Sequence, residues 1–419
     1  MVRGTFAVLL IALGAASAQS LGRFTFGVLL PAVRADLGVS NTVAGTLATF
    51  NVGAYLLGTL AVSAATARYR LLPVLRVGLA LSTSGMILAA VSPNVYAVAA
   101  AMLLLGLGGA FTWIPSPVVA GDALRSERRS LAIGILGSGM GVGVVFGGQL
   151  SNWVRSSRGD EAWRDVYVIQ SAISIVALVG IYLLIRHRQD KPTGGGGIGG
   201  FGALRRMRGW GPFTVAFALF GLMYLLVIAF LTVRLEDDSG WTPDDASLAF
   251  TVVGIAMVLG GPIFIVISTR FGVRQALIAA FGGWTVATVS ILPGWYAPTL
   301  VASAGIGLFF SGMPTLFALY VVKNTTAADY GPAFAAATLA FGVTQMVSPQ
   351  LGGLVADLTG SFLIVFAGSA VLSLLGLFTL LRVPNDGQAR RPAASWREGL
   401  VFAVEPADEG PPMADATQD

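Results

Sequence analysis

One arginine near the start of the chain lies in a stretch that is otherwise free of charge. Arg23 belongs to the segment QSLGRFTFGVLLP, whose other residues are apolar, small, or polar and neutral. A guanidinium keeps its charge at physiological pH and presents five N–H donors in a planar fork. That fork matches the two oxygens of a carboxylate, so this residue type predicts recognition of an anion. The elements around Arg23 decide whether it meets that anion in water or in lipid.

The composition indicates that the chain lies in a lipid bilayer. Hydrophobic residues make up 55% of its 419 residues and charged residues 11%, against about 25% charged residues in ordinary soluble domains. Long apolar blocks, many of about 20 residues, alternate with short polar breaks, and that length suffices for one helix to cross a bilayer. We therefore predict a polytopic helical membrane protein. The net charge of +5 forms no basic stripe with interleaved aromatic residues, which argues against nucleic-acid binding.

Twelve membrane-spanning helices are predicted, in two six-helix bundles of an all-α fold. The spans cover approximately residues 6–33, 42–65, 71–91, 95–120, 131–153, 166–186, 211–234, 247–268, 275–293, 298–322, 332–356 and 361–381. The chain divides into an N-terminal bundle (1–187), a Gly-rich basic cytosolic linker (188–209), a C-terminal bundle (210–382) and a cytosolic tail (383–419). The linker contains GGGGIGG and is predicted to be flexible. The tail is rich in Pro, Ala and acidic residues and is predicted to be largely disordered.

The basic residues and the start of the chain predict the topology. The opening MVRGTFAVLLIALGAASAQ has the pattern of a cleavable signal peptide, but its apolar character continues to Val33, which favours an uncleaved first helix. With both termini in the cytosol, 20 of the 26 lysines and arginines lie on the cytosolic side and five on the other. Because cytosolic loops carry the excess of basic residues, this orientation is the predicted one, in a plasma membrane.

Arg23 is predicted to lie near the middle of the bilayer. It precedes Arg34, at the outer end of span 1, by 11 residues, or about 16 Å of helix in a hydrocarbon core about 30 Å thick. An unpartnered charge is costly at that depth, so a functional site is expected. All 21 aspartates and glutamates fall in loops, the tail or helix ends such as Asp122 and Asp357. The expected partner of Arg23 is therefore an external anion, and the alternative is an arginine that pins two helices through carbonyls or amides.

The missing acids also bear on proton coupling. No span contains a carboxylate that could carry a coupling proton. Any such coupling would have to use the substrate itself or a helix-end acid such as Asp357.

The two halves of the sequence repeat one another. The matched positions are Arg34 with Arg234, Gly53 with Gly254, Arg68 with Arg270, and Gly147-Gly148 with Gly352-Gly353. Their offset changes only from 200 to 205 residues along the chain. Two parallel repeats around a central pathway are a recurring plan of transporters.

These features resemble the major facilitator superfamily. The loop after span 8, GGPIFIVISTRFGVRQAL, is similar to the family's loop signature at Gly261, Arg270, Gly272 and Arg274, with Thr269 in place of its aspartate. The loop after span 2 keeps Gly58 and Arg68, with Ala67 in place of the aspartate. In the family this loop acts as a latch between the halves.

Two further stretches carry the resemblance. Span 5 is similar to the family's antiporter motif at Gly143, Gly147 and Gly148, and span 11 has a fuller version with Pro349, Gly352 and Gly353. The glycines also recur at helical spacing, which by itself is typical of closely packed membrane helices. The opening GRFTFGVLLP and span 11 most resemble the YbfB/YjiJ-like bacterial branch.

Five other polar or aromatic residues could complete a pocket with Arg23. Gln19 precedes Arg23 by one helical turn on the same face, and Tyr224 is near its repeat equivalent. The remaining candidates, on helices that line the cavity in the family, are Trp113, Gln149 and Gln345. Each could instead be an ordinary packed or interhelical group.

The resemblance implies a secondary transporter that moves a small solute by alternating access, as a monomer. Arg23 suggests that the solute is an organic anion. Exporters of drugs or neutral metabolites, and a sensor or scaffold that does not transport, are the alternatives. The spans contain no nucleophile–base set, and the chain has no cysteine and one histidine, His187, so neither an enzyme nor a bound metal or cofactor is expected.

Overall fold

The computed structural model describes residues 2–66, 69–124, 129–185 and 200–385. The helices are α1 (Val2–Ala16), α2 (Thr25–Leu37), α3 (Asn41–Thr66), α4 (Leu71–Ala90), α5 (Val95–Trp113), α6 (Ser116–Asp122), α7 (Arg129–Arg158), α8 (Trp163–Leu184), α9 (Phe201–Arg206), α10 (Trp210–Ile228), α11 (Leu231–Val233), α12 (Pro243–Phe271), α13 (Val273–Ile291), α14 (Tyr296–Asn324), α15 (Ala327–Thr359) and α16 (Leu363–Leu380). A π-helical segment, Ser17–Phe24, joins α1 to α2, and a second one, Arg234–Asp238, follows α11.

Each predicted span corresponds to one long helix or to a continuous series of helices. Span 1 is α1, the first π-helical segment and α2, while span 7 is α10 extended by α11. Within the described ranges, nine helical stretches are long and apolar enough to cross a membrane. The all-α polytopic fold is therefore confirmed.

Local chemistry explains where several of these helices begin and end. Asn94 begins α5, because its side chain accepts a hydrogen bond from the N–H of Ala97 at 3.0 Å, the usual role of an N-cap residue. Gly38 and Gly360 end α2 and α15 with φ of 61° and 70°. Glycine adopts this left-handed conformation without steric cost, so it commonly ends a helix.

The end of the predicted linker forms a short helix, which the prediction of a flexible linker did not include. Helix α9 lies within residues 188–209, and its Leu204 is buried. Arg206 of α9 forms an ion pair with Asp329 of α15, at 2.5 Å. This short amphipathic helix therefore packs against the C-terminal half. The poly-Gly part of the linker, Arg68 and the tail after residue 385 lie outside the described residues.

In both halves an arginine binds the carbonyl groups at the C-terminal end of the last helix. Arg76 at the start of α4 donates to the carbonyls of Tyr182 and Ile185, at 3.0 and 2.7 Å. Arg274 at the start of α13 donates to the carbonyls of Leu380 and Leu381, at 3.1 and 2.8 Å. A cation at a helix C-terminus satisfies free carbonyls and the helix dipole. This shared device supports the predicted repeat.

The halves meet mainly along two seams, α3 against α15 and α7 against α12. Close backbone approach is possible there because glycines face the partner helix. A methyl group placed on Gly148 of α7 would lie 3.0 Å from Oγ1 of Thr251 in α12, and one on Gly353 of α15 would collide with the carbonyl of Asn41 in α3. The last glycine of each matched Gly-Gly pair therefore belongs to an interface between the halves.

Candidate functional site

The π-helical segment Ser17–Phe24 carries both Gln19 and Arg23. Such segments are rare, mostly occur as short bulges inside α-helices and are frequent at functional sites. This one lies between α1 and α2, within predicted span 1, and all of its residues except Arg23 are buried. It places Arg23 at the junction between the two halves.

Arg23 is held by neutral groups. Its Nη1 donates to Oε1 of Gln19 at 3.3 Å, and Nε2 of Gln19 donates to the carbonyl of Gly109 at 3.2 Å. The Cζ of Arg23 lies 4.1 Å from the ring centroid of Tyr55 in α3, a cation–π contact. Among the described residues, no carboxylate lies within ion-pair distance of Arg23. The charge of this arginine thus has no protein counter-ion in that part of the chain.

The C-terminal half supplies the opposite wall. The hydroxyl of Tyr224 in α10 donates to Oε1 of Gln345 in α15 at 2.6 Å, and both side chains are buried. The guanidinium of Arg23 interacts with the phenol of Tyr224. Phe310 of α14 joins the two walls, because its ring centroid lies 5.8 Å from that of Phe24 and 5.0 Å from that of Tyr224.

The structure therefore brings four of the predicted site residues together: Gln19, Arg23, Tyr224 and Gln345. Sequence reasoning missed Tyr55 and Phe310. An aromatic residue with a polar tip in span 2 was the available signal for Tyr55, whereas a phenylalanine in an apolar span gives no signal.

Arg23 also borders a small cavity of about 30 Å³ between the halves. Its lining includes Phe24, Asn51, Met102, Ile228 and Pro349, and its volume suits one or two water molecules.

Two predicted pocket residues lie elsewhere. Trp113, at the end of α5, packs against an apolar cluster of the N-terminal half that contains Leu75 and Val119. Gln149 is exposed and donates to Oγ1 of Thr251 at 2.8 Å, across the α7–α12 seam. These contacts lie outside the group formed by Gln19, Arg23, Tyr224 and Gln345, and a substrate-binding role for Trp113 and Gln149 stays a prediction. Family-based assignment to a cavity-lining helix does not determine which face of that helix a residue occupies.

The loop-motif residues serve helix ends and helix packing. Gly272 ends α12 with φ of 93°, and Arg274 binds the helix-end carbonyls described above. Arg270 is exposed and lies 5.5 Å from the ring centroid of its neighbour Phe271. A methyl group on Gly58 would lie 2.8 Å from Cβ of Ala110, and one on Gly261 would make an ordinary contact. The part of the predicted latch formed by Arg68 lies outside the described residues.

The remaining motif glycines pack within each half. A methyl group on Gly143 would lie 2.7 Å from Cβ of Ser20, and one on Gly147 would lie 2.9 Å from Oγ1 of Thr25. In the other half, one on Gly352 would lie 2.6 Å from Cε2 of Phe230. These glycines allow spans 5 and 11 to approach the first helix of their own half closely.

Charged contacts join the halves at one end of the molecule. Arg34 pairs with Asp237 at 2.5 Å and Arg155 with Glu236 at 2.7 Å. We call this the closed end; it carries the α2–α3 connection, the end of α7 and the segment Arg234–Asp238. By the predicted topology it faces the outside of the cell.

Asp357 of α15 makes a third link at the closed end. Its carboxylate accepts hydrogen bonds from the N–H groups of Asn41 and Thr42 at 3.0 and 2.7 Å, and so caps α3 of the other half. Burial would raise the pKa of Asp357, but these hydrogen bonds together hold it below its ordinary value. The carboxylate is therefore ionised at neutral pH.

Solved structures of membrane transporters share this fold of two helical halves. A mutant form of the nucleoside transporter NupG matches with a TM-score of 0.77 and 13% identity, over 90% of this chain and 99% of its own. A D-xylose–proton symporter matches with a TM-score of 0.70 and 16% identity, over 92% and 98% of the two chains.

The chain belongs to the family described as "Uncharacterised MFS-type transporter YbfB", whose model matches residues 15–381. The uncharacterized MFS-type transporter YfhI of Bacillus subtilis (strain 168) is 24% identical over 381 residues, 85% of this chain and 89% of the relative. Monocarboxylate transporter 13 of Bos taurus is 27% identical over 358 residues, 81% of this chain and 80% of the relative. The predicted superfamily and branch are confirmed, and with them a multi-pass membrane transporter of a small solute.

Proposed function

We propose that this protein is a secondary transporter of the bacterial inner membrane that moves a small organic monoanion by alternating access. The observation that carries this proposal is Arg23, a permanent cation at the junction of the two halves, contacted by an amide and aromatic rings. An intramembrane charge without a protein partner marks a substrate pathway by default. The anion would supply the counter-ion that the described part of the chain does not provide.

The rest of the site favours a single negative charge on the substrate. The groups contributed by Gln19, Tyr55, Tyr224 and Gln345 are neutral amides and phenols. A dianion or phosphate would need more than one cation to offset its desolvation. The rings of Phe24 and Phe310 suit an apolar body on the same molecule. A carboxylate is the natural match for one planar guanidinium, and one relative bears the name monocarboxylate transporter.

The structure fits one state of an alternating-access cycle. The ion pairs and the Asp357 cap hold the halves together at the closed end. By the predicted topology, this is the state that is shut toward the outside. The opposite state would require these contacts to separate while the α3–α15 and α7–α12 seams open.

A ligand screen on the purified protein tests the proposal. Monocarboxylates with small, branched and aromatic bodies would be added, and the thermal unfolding temperature measured. A ligand at ~100 times its Kd stabilises the protein by about 2.7 kcal/mol, so at least one monocarboxylate should raise that temperature. Stabilisation by neutral analogues alone, with no response to any carboxylate, would favour the neutral-metabolite or drug exporter instead.

A further inference from the structure

Arg155 at the closed end is shared by two carboxylates from different halves. Its Nη1 and Nη2 donate to Oε1 and Oε2 of Glu236 at 2.8 and 2.7 Å. Its Nε donates to Oδ1 of Asp160 at 2.7 Å. Asp160 follows α7 within the N-terminal half, whereas Glu236 comes from the π-helical segment after α11 in the other half. The Arg155 side chain is fully buried, and that of Glu236 is 12% exposed.

The cluster carries one negative charge too many. Asp160 can neutralise Arg155 whether or not the halves are together, because both belong to the same half. When the halves close, the carboxylate of Glu236 arrives at an arginine that already has a partner. The acid next to it, Asp237, is paired with Arg34 and adds a further negative charge nearby. Closure therefore buries an excess anion.

We propose that Glu236 binds a proton when the halves close at this end, so that closure of the transporter takes up one proton from the solvent. The proton adds to one carboxylate oxygen of Glu236, and the other oxygen keeps accepting a hydrogen bond from Arg155. This proposal rests on alternating access in the proposed function. It assigns a coupling or regulatory proton to a residue two positions beyond predicted span 7, whereas the predicted spans themselves contain no acid.

Linkage gives the direction of the effect. Burial raises the pKa of Glu236 in the closed structure, and Asp160 and Asp237 add to this, while Arg155 acts in the opposite direction. In an open state the carboxylate would be hydrated and its pKa near the ordinary value. The closed state thus holds the proton more tightly, so the proton's contribution to closure is full at low pH and is lost as pH rises through the raised pKa. Each unit of difference between the two pKa values changes the open-to-closed ratio by up to about tenfold.

A distance measurement in the full-length, cysteine-free chain tests this without any substrate. Spin labels would be placed at Ser156→Cys in α7 and Thr359→Cys in α15, two exposed positions in different halves at the closed end. Pulsed electron spin resonance in lipid nanodiscs would record their separation at pH 5 and pH 8. We expect a short distance at pH 5 and a growing long-distance fraction at pH 8.

Three variants test whether Glu236 causes the change in distance with pH. Glu236→Gln mimics the protonated residue, so the short distance should persist at both pH values. Asp160→Asn removes the excess charge, so ionised Glu236 can pair with Arg155 and the opening at pH 8 should be smaller than in the wild type. Asp165→Asn is the matched control, because Asp165 pairs with the exposed Arg158 of its own half at the same end, and this variant should keep the wild-type pH response. If Glu236→Gln does not fold, Glu236→Asp retains a titratable group and should keep the response.

Two results would overturn the proposal. One is a wild-type separation that does not change with pH, or that lengthens on acidification. The other is a Glu236→Gln or Asp160→Asn protein with an unaltered wild-type response. Because no monocarboxylate is added in this assay, its outcome does not depend on whether Arg23 binds one.

Discussion

Replacing Arg23 should weaken anion binding and leave folding intact. In the structure one of its N–H groups donates to Gln19 at a long 3.3 Å, and the guanidinium also interacts with the phenol of Tyr224. Since an arginine has five N–H donors, others can serve a ligand. Two charge-assisted hydrogen bonds to a carboxylate contribute roughly 1.5–3 kcal/mol each. Arg23→Gln keeps weaker neutral donors, so we expect a loss of about 2–4 kcal/mol, or roughly 30-fold to 1,000-fold in Kd. Arg23→Lys keeps the charge without the fork and should lose roughly 10-fold.

The stability of the empty protein should respond in the opposite sense. The Arg23→Gln variant lacks one long hydrogen bond and a cation–π contact with Tyr55. The cation–π contact contributes about 1 kcal/mol of stability. Removal of a partly buried charge that has no carboxylate partner among the described residues offsets that loss. Arg23→Gln should therefore fold with an unfolding temperature close to the wild type or slightly above it.

The assay is thermal unfolding of the purified variants, with and without the best monocarboxylate from the screen. Arg158→Gln is the matched control, because Arg158 is exposed and pairs with Asp165 at the closed end, far along α7 from the π-helical segment. The reasoning is refuted if Arg23→Gln is strongly destabilised when empty yet binds the carboxylate with wild-type affinity. Arg23 would then be a structural pin between helices.

Three further predictions concern the topology, the seams and the closed end. A cysteine at position 195 in the linker should not react with membrane-impermeant thiol reagents in intact cells. Labelling from outside would show that the topology is the opposite of the predicted one. Gly353→Leu should hinder closure of the α3–α15 seam and reduce flux more than Gly352→Ala; equal flux in both would contradict a role for close approach. Asp357→Asn should weaken closure about equally at pH 5 and pH 8, because the lowered pKa keeps the carboxylate ionised at both; a loss seen only at pH 8, measured with the spin-labelled pair, would contradict that assignment.

Long-range patterning made the fold predictable. Apolar blocks of bilayer length and a glycine-rich break specify helices and their number, because backbone groups in lipid must be satisfied within a helix. The depth of Arg23 followed from the same counting. The repeat was visible in matched charges and glycines, although Arg34 and Arg234 differ in role. Arg34 reaches Asp237 in the other half, whereas Arg234 donates to the carbonyl of Leu292 in its own half.

Side-chain direction could not be predicted in the same way. The π-helical segment around Arg23 changes the local helical repeat, and no residue type specifies such a segment. Gln149 was assigned from its helix alone, yet the rotation of α7 turns it to the seam with Thr251. Glu236 looked like an ordinary loop acid, because its burial depends on an arginine 81 positions away in the sequence. Contacts between distant segments carry this information, and a single sequence does not.

Counterflow in proteoliposomes tests the central claim most directly. Vesicles containing the purified protein would be loaded with an unlabelled monocarboxylate that stabilises it, and uptake of the same radiolabelled compound from outside would be followed. We predict transient accumulation with the wild type and with Arg158→Gln, and its loss with Arg23→Gln at equal amounts of folded protein. Accumulation by Arg23→Gln at the wild-type rate would contradict the assignment of Arg23 as the anion site.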